Sequence, residues 1–421
     1  MSTAGINSNI YREIKTSWLD GLAKRLVFMA LSKLQQGRLV IDDNGKISVF
    51  GELQSSAMLS AHIVIHHPSV YRQLLFGGSI GSGQAYMLGT WSSPNLLNVI
   101  RLFCQNLDAL NRMDSSRPVL NRIVTKLSHQ LNRNTLSGSK RNIAAHYDLG
   151  NDFFKLFLDS KMMYSAGIYP YENASLEEAA THKLDIICKK LRLNQQDHLL
   201  EIGTGWGGLA IYAAKHYGCQ VTTTTISQAQ FNYAKQAVKQ AGLEDKITLL
   251  LCDYRNLTGQ FTKLVSVEMI EAVGHKHYKH YFSICSRLLK DDGLMCIQAI
   301  TIADQRYEQA KQSVDFIQRY IFPGGSLPSN VVIAQCVARY TDMQIVNVED
   351  IGLDYAKTLA HWRNNFKNNL PRIKKMGFDE LFCRMWEFYL CYCEGGFLER
   401  SVSTVHTVIA KPGAKHLRAL D

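Results

Sequence analysis

The sequence predicts an α/β protein: a doubly wound parallel sheet preceded by a smaller mixed α+β domain. Three observations carry this. From Asn142 onward, short apolar runs alternate with helical stretches, the pattern of strands joined by crossover helices. The first of these runs ends at Ile202 and opens on Gly203-Thr204-Gly205-Trp206-Gly207-Gly208, a turn that brings backbone N–H groups and a helix N-terminus against a ligand. The first 110 residues lack this alternation and hold short strand signals around a hairpin turn.

In chain order, Trp18, Leu22, Leu26 and Met29 recur at helical spacing. The stripe suits a helix packed on its own domain or one lying on a lipid surface. Strands are expected at 38–41 and 46–50, separated by Asp42-Asp43-Asn44-Gly45, a hairpin turn. An alternating segment follows at 61–65, then a glycine-rich stretch at 77–83 before 84–91. Residues 111–141 read as a basic linker, with seven Lys or Arg against Asp114. The second part then spans 142–421. Its strands are expected at 199–203, 221–226, 247–253, 264–270 and 294–300, with helices such as 229–241 and 278–289 between them and a closing strand at 402–411. Ligands of such sheets sit beyond the C-terminal strand ends, where Glu201, Thr225, Asp253 and Glu268 fall.

A length of 421 residues exceeds one ordinary core and implies two domains. At 46% hydrophobic and 20% charged residues, the chain is ordinary globular material. The net charge of +11 is uneven: residues 1–140 hold 15 Lys or Arg against 7 Asp or Glu. Such asymmetry fits an acidic partner surface, nucleic acid or anionic lipid, or simply a solvated face. The 10 cysteines sit mostly in apolar runs and form no paired CxxC, so we expect buried thiols and no metal. No run of 18 apolar residues occurs. A cytoplasmic protein that touches membranes from the surface is the expectation.

The glycine turn fits two cofactors. Gly203, Gly205 and Gly208 satisfy the dinucleotide spacing. That reading requires an acid at the end of the next strand to hold the ribose, and the run 220–226 ends in threonines. The acid lies instead within the first motif, as Glu201. A glycine turn on an acid-bearing strand suits S-adenosylmethionine, which has a charged amino-acid end and no pyrophosphate.

Further motifs narrow the reading. They are AHYDLGNDFF at 145–154, MMYSAGIY at 162–169, EIGTGWGG at 201–208, TISQAQ at 225–230, DYR at 253–255, EMIEAVG at 268–274 and RYIFPGGSLPS at 319–329. Together they resemble the cyclopropane-fatty-acyl-phospholipid synthase family, which includes the mycolic acid methyltransferases. The resemblance covers roughly 140–412, and GSGQAYMLGTW at 81–91 extends it to the long bacterial form. It implies the class I S-adenosylmethionine-dependent methyltransferase fold, which is Rossmann-like. It also implies transfer of a methyl group to the cis double bond of a phospholipid acyl chain, followed by proton loss and ring closure. A bound bicarbonate is the implied base. An anionic phospholipid membrane surface is the implied partner, not nucleic acid, and a homodimer is open to such a chain. Methyl-branched or methylene products, and N-methylation of a small amine, are alternatives on the same fold.

The resemblance also implies site residues. Tyr164 and Ser165 cap the cofactor; Gly203, Gly205 and Gly207 approach its amino-acid end beside Glu201. Thr225 and Gln230 lie by the ribose, and Tyr254 and Arg255 by the adenine. Glu271 helps hold bicarbonate, with Glu268 as a competing acid or a cap, and Tyr355 donates to the same anion. Tyr147, Tyr169, Tyr320, Phe322, Trp362 and Tyr389 line an acyl tunnel or face a cation. Cys393 matches a cysteine sometimes considered catalytic. The histidines around 275–280 are read as surface residues at a helix start. Three positions depart from the family: Ala166 stands where it has cysteine, leaving only a backbone N–H for the anion, and Ala272 stands where it has the histidine after the glutamate. Gln298 stands where it has histidine, and an amide donates a hydrogen bond but shuttles no proton.

Overall fold

The computed structural model describes residues 17–53, 58–107 and 149–415. They divide into two compact units.

The first unit comprises the described residues up to 107 together with Val314–Ile321 and Lys367–Ser401. Its sheet has the order β2-β1-β3-β4, with β1 Arg38–Asp43, β2 Lys46–Phe50, β3 Ser60–Ile65 and β4 Trp91–Ser92. The hairpin forms where the sequence places it. Asp43 pairs with Lys46 across a two-residue loop, and Asn44 (φ 54°) and Gly45 (φ 82°) are both left-handed, as a turn matched to strand twist requires. The stretch 77–83 differs from its glycine-rich appearance. It lies inside the helix Ser69–Met87, which kinks at Gly78 (φ 52°), and a Cβ on Gly83 would stand 2.2 Å from the Phe316 ring. Gly83 thus permits close packing of Phe316 on this helix.

Two expectations change here. The segment 142–421 is not one unit: the helix Glu380–Leu398 is built into the first. It buries Trp386, Phe388 and Tyr389, Arg384 donates to the Tyr86 carbonyl and stacks over its ring at 4.2 Å, and Tyr86 donates to Glu387 at 3.0 Å. Contacts between distant segments, invisible to a linear reading, set this boundary. Second, the helix Trp18–Leu31 does not bury its apolar stripe. Ala23 and Leu31 face inward, whereas Trp18 is 81% exposed and Met29 59%. The linker 111–141 and Tyr147 lie outside the described residues.

The second unit holds 149–313, Phe322–Phe366 and 402–415. Its seven-stranded sheet has the order β10-β11-β9-β8-β5-β6-β7: β5 His198–Ile202, β6 Gln220–Thr225, β7 Ile247–Leu251, β8 Phe261–Val267, β9 Leu289–Ile302, β10 Gln344–Asp350 and β11 Val402–Ala410. The five strands β7, β6, β5, β8 and β9 are parallel. The closing strand β11 runs antiparallel to β9, and β10, not expected from sequence, pairs antiparallel with β11. Exposed Val346 and Val348 explain the miss, since β10 is an edge strand with little buried surface. Two apolar clusters flank the sheet, one around Tyr281, Phe282 and Leu288, the other around Leu184, Ile187 and Ala213. Burying both faces leaves the C-terminal strand ends as the place for polar chemistry.

Candidate active site

The turn after β5 is built from glycines because its backbone demands it. Gly203, Gly205 and Gly207 have φ of 104°, 53° and 92°, values that cost an L side chain strain. A Cβ on Gly205 would meet nothing within 4 Å, so the turn faces open space at that residue. The helix Gly208–Tyr217 starts directly after it without a side-chain cap, leaving N–H groups for an anionic ligand. Glu201 is buried beneath. It pairs in register with Thr223 of β6, whose hydroxyl donates to its carboxylate at 2.5 Å and meets Thr204 at 2.7 Å. Burial pushes the Glu201 carboxyl up to about 8, against the pull of Thr223 and Lys183. The residues present thus fit the amino-acid end of S-adenosylmethionine.

Other residues expected to serve the cofactor follow the neighbouring strands. At the end of β6 the Thr225 hydroxyl donates to Gln230 at 2.9 Å. After β7, Tyr254 opens a short 3-10 turn and meets Tyr281 edge-to-face at 5.7 Å. Arg255 is turned onto its neighbour: Nε and Nη2 reach the Asp253 carboxylate at 2.8 and 2.6 Å. Tyr164 stands within an aromatic group, with ring centroids 5.2 Å from Phe154, 5.2 Å from Trp362 and 6.4 Å from Phe322. Ser165 accepts from Lys183 Nζ at 2.8 Å. Lys183 is fully buried, and desolvation lowers its ammonium to about 8, against nearby Glu268, Asp159 and Glu201. Sequence reading missed this lysine, since one Lys on an amphipathic helix gives no signal of burial.

The acid site differs from expectation. Immediately after β8, Glu268 adopts a left-handed backbone (φ 48°), and its N–H bonds the Gln298 carbonyl at 2.7 Å. That conformation aims its carboxylate into three donors. Ala166 N–H and Gln298 Nε2 reach one oxygen at 2.9 and 2.8 Å, and the Tyr355 hydroxyl reaches the other at 2.9 Å. Tyr355, expected to serve an anion held by Glu271, therefore serves Glu268. Burial pushes Glu268 above the usual carboxylate range, while the three donors and Lys183 pull it back. Glu271 has one donor, the Ile300 N–H on Oε1. Its Oε2 is buried with no partner, and burial together with the Glu268 charge pushes it up to about 8.

The Gln298 amide is oriented by a chain of bonds. Lys190 Nζ, which only donates, meets His406 Nδ1 at 3.0 Å. The imidazole hydrogen is therefore on Nε2, which donates to Gln298 Oε1 at 2.8 Å, leaving the NH2 end for Glu268. Burial and the nearby lysines hold His406 well below its ordinary value, hence neutral. His406 sits directly across from Gln298 in the β9–β11 register, so strand pairing was the signal that could have found it.

Cys393, Tyr320 and Tyr389 belong to the first unit. Burial, with Asp315 and Cys391 beside it, pushes the Cys393 thiol up, opposite to what a nucleophile needs. Tyr169 stacks on His361 at 5.8 Å and lies under Lys357 at 4.3 Å. No helix among the described residues is long and apolar enough to cross a membrane.

The chain is similar to several known proteins. Residues 135–407 match the family model of mycolic acid cyclopropane synthetase. The chain is 38% identical to a tuberculostearic acid methyltransferase of Mycobacterium tuberculosis over 80% of each protein. It is 34% identical to the cyclopropane-fatty-acyl-phospholipid synthase of Escherichia coli over 90% of this chain and 97% of that one. Among solved structures, a mycolic acid cyclopropane synthase in complex with SAH superposes with a TM-score of 0.61 and 29% identity, covering 65% of this chain and 98% of that one. The chain thus belongs to the mycolic acid cyclopropane synthetase family, as an S-adenosylmethionine-dependent enzyme that transfers a methyl or methylene group to lipid.

Proposed function

We propose that the protein acts on the cis double bond of unsaturated phospholipid acyl chains in a membrane and forms a cyclopropane. The observation that carries this reading is the pairing, at neighbouring strand ends, of an open glycine turn with a buried carboxylate held by Ala166, Gln298 and Tyr355. When bound, S-adenosylmethionine supplies an electrophilic methyl group. The turn at 203–207 and the helix start at Gly208 would hold its amino-acid end, with Tyr164 and Ser165 as its cap. An alkene is a weak nucleophile, so exact positioning supplies much of the acceleration. Rings of Tyr164, Trp362 and Phe322 exclude water from a transient cation and stabilise it by roughly 0.5–2 kcal/mol per contact. Exposed Trp18, Leu22, Arg25, Met29 and Lys33 fit a helix face that dips into anionic headgroups.

A methylene-branched product is a second reading, favoured by Gln298 in place of a proton-shuttling histidine. Mass spectrometry of lipids from cells that lack cyclopropane lipids and express this protein tests both. Either product adds one CH2 to unsaturated chains, and mild hydrogenation saturates a methylene branch and spares a ring. No new lipid mass, with S-adenosylmethionine binding intact, would sink the phospholipid reading. Vesicle sedimentation tests docking: binding to anionic vesicles should weaken as salt rises and fall in Trp18→Ser.

A further inference from the structure

The three donors expected to hold a separate anion already hold one. Ala166 N–H, Gln298 Nε2 and the Tyr355 hydroxyl converge on the two oxygens of the Glu268 carboxylate at 2.8–2.9 Å. A bicarbonate brought to the same place would find these donors taken and a negative charge in its path. Residues and bicarbonate therefore do not fit together in this chain. On the reading of alkene methylation given above, we propose that the Glu268 carboxylate occupies the place of bicarbonate and is itself the base of the reaction.

The chemistry balances without a further reactant. After methyl addition, one former alkene carbon is positively charged. The electron pair of a methyl C–H bond becomes the new ring C–C bond, and the proton passes to Glu268. The carboxylate becomes a carboxylic acid and returns that proton to water before the next turnover.

Three features of the site support this role. Glu268 is one of few non-glycine residues with a left-handed backbone among the described residues, and that conformation turns its side chain into the donors; such strain persists where the surroundings hold it and clusters at functional sites. The Gln298 amide presents its NH2 end because His406 and Lys190 fix the other end. Glu271 lies one turn further on with an unpartnered oxygen, and a carboxyl pair in a dry site holds a single charge; with three donors against one, that charge settles on Glu268.

The test uses the full chain with its phospholipid substrate in buffer stripped of carbon dioxide. The wild type should turn over within about twofold of its rate in added bicarbonate. Glu268→Gly suits its left-handed backbone and opens a hollow lined by the three donors. It should lose activity by about 10²-fold or more and regain at least tenfold with added formate or bicarbonate. Wild-type activity that collapses without bicarbonate and returns with it would overturn the proposal, as would a Glu268→Gly enzyme that remains active without an added anion. A substrate-independent readout separates this from failure of the lipid reading. Carbon-13-labelled bicarbonate followed by NMR should bind Glu268→Gly and not the wild type; binding to the wild type in competition with formate would overturn the proposal even if no lipid is turned over.

Discussion

Two turns at the ends of neighbouring strands solve opposite problems. After β5, Gly203, Gly205 and Gly207 remove side chains so that backbone N–H groups meet a ligand. After β8, Glu268 takes a similar left-handed backbone and keeps its side chain, at a conformational cost of about 1–3 kcal/mol. The first turn makes room for something that arrives. The second carries its own charged group into place and satisfies it with three donors. A left-handed position thus reads differently according to what occupies it: glycine marks a cradle, and an acid marks a group that is aimed.

The contrast can be broken from either side. The largest effect is expected from Glu268→Gln. The amide keeps size but loses basicity, so product formation should fall by about 10²–10⁴-fold while S-adenosylmethionine binding by calorimetry stays unchanged. Gln298→Leu comes next. It removes a charge-assisted bond worth roughly 1.5–3 kcal/mol, so turnover should drop by about 10–100-fold, again without loss of cofactor binding. Gly203→Ala probes the other turn. A Cβ there has space, with Met269 at 3.6 Å, but φ of 104° is strained for alanine. About 1–2 kcal/mol of strain should raise the cofactor dissociation constant about tenfold and leave turnover at saturating cofactor nearly intact. An equal loss of turnover and binding in all three variants would erase the distinction between the turns.

The smallest expected effect concerns Glu271. Its carboxyl, ordinarily near 4.5, is pushed up to about 8 in the folded protein. Below pH 4.5 it is protonated in both states. Between 4.5 and 8 the unfolded chain releases the proton and the folded protein keeps it, so the stability present at low pH is lost as pH rises to about 8. Glu271→Gln removes this dependence. Thermal midpoints of the variant should gain on the wild type between pH 5 and pH 8.5; a constant gap would show that Glu271 titrates normally.

Much of the first turn was legible in the sequence and little of the second. Glycines at 203, 205 and 207 after an apolar run declare their backbone geometry through their own chemistry. The strand expectations for β5 to β9 hold because strands buried on both faces read as apolar runs, whereas β10, exposed at Val346 and Val348, does not. The donors around Glu268 come from segments 102, 30 and 87 residues away, so spacing within EMIEAVG favoured Glu271 just as well. The relay from Lys190 through His406 depends on strand register. The place of the helix Glu380–Leu398 depends on long-range packing that no local pattern encodes.

The most direct test of the account compares the wild type with Glu268→Gln in cells that lack cyclopropane lipids, by mass spectrometry of phospholipid acyl chains. Unsaturated chains should gain one CH2 with the wild type. That product should be lost with the variant, whose purified form still binds S-adenosylmethionine. Undiminished product from Glu268→Gln would contradict it.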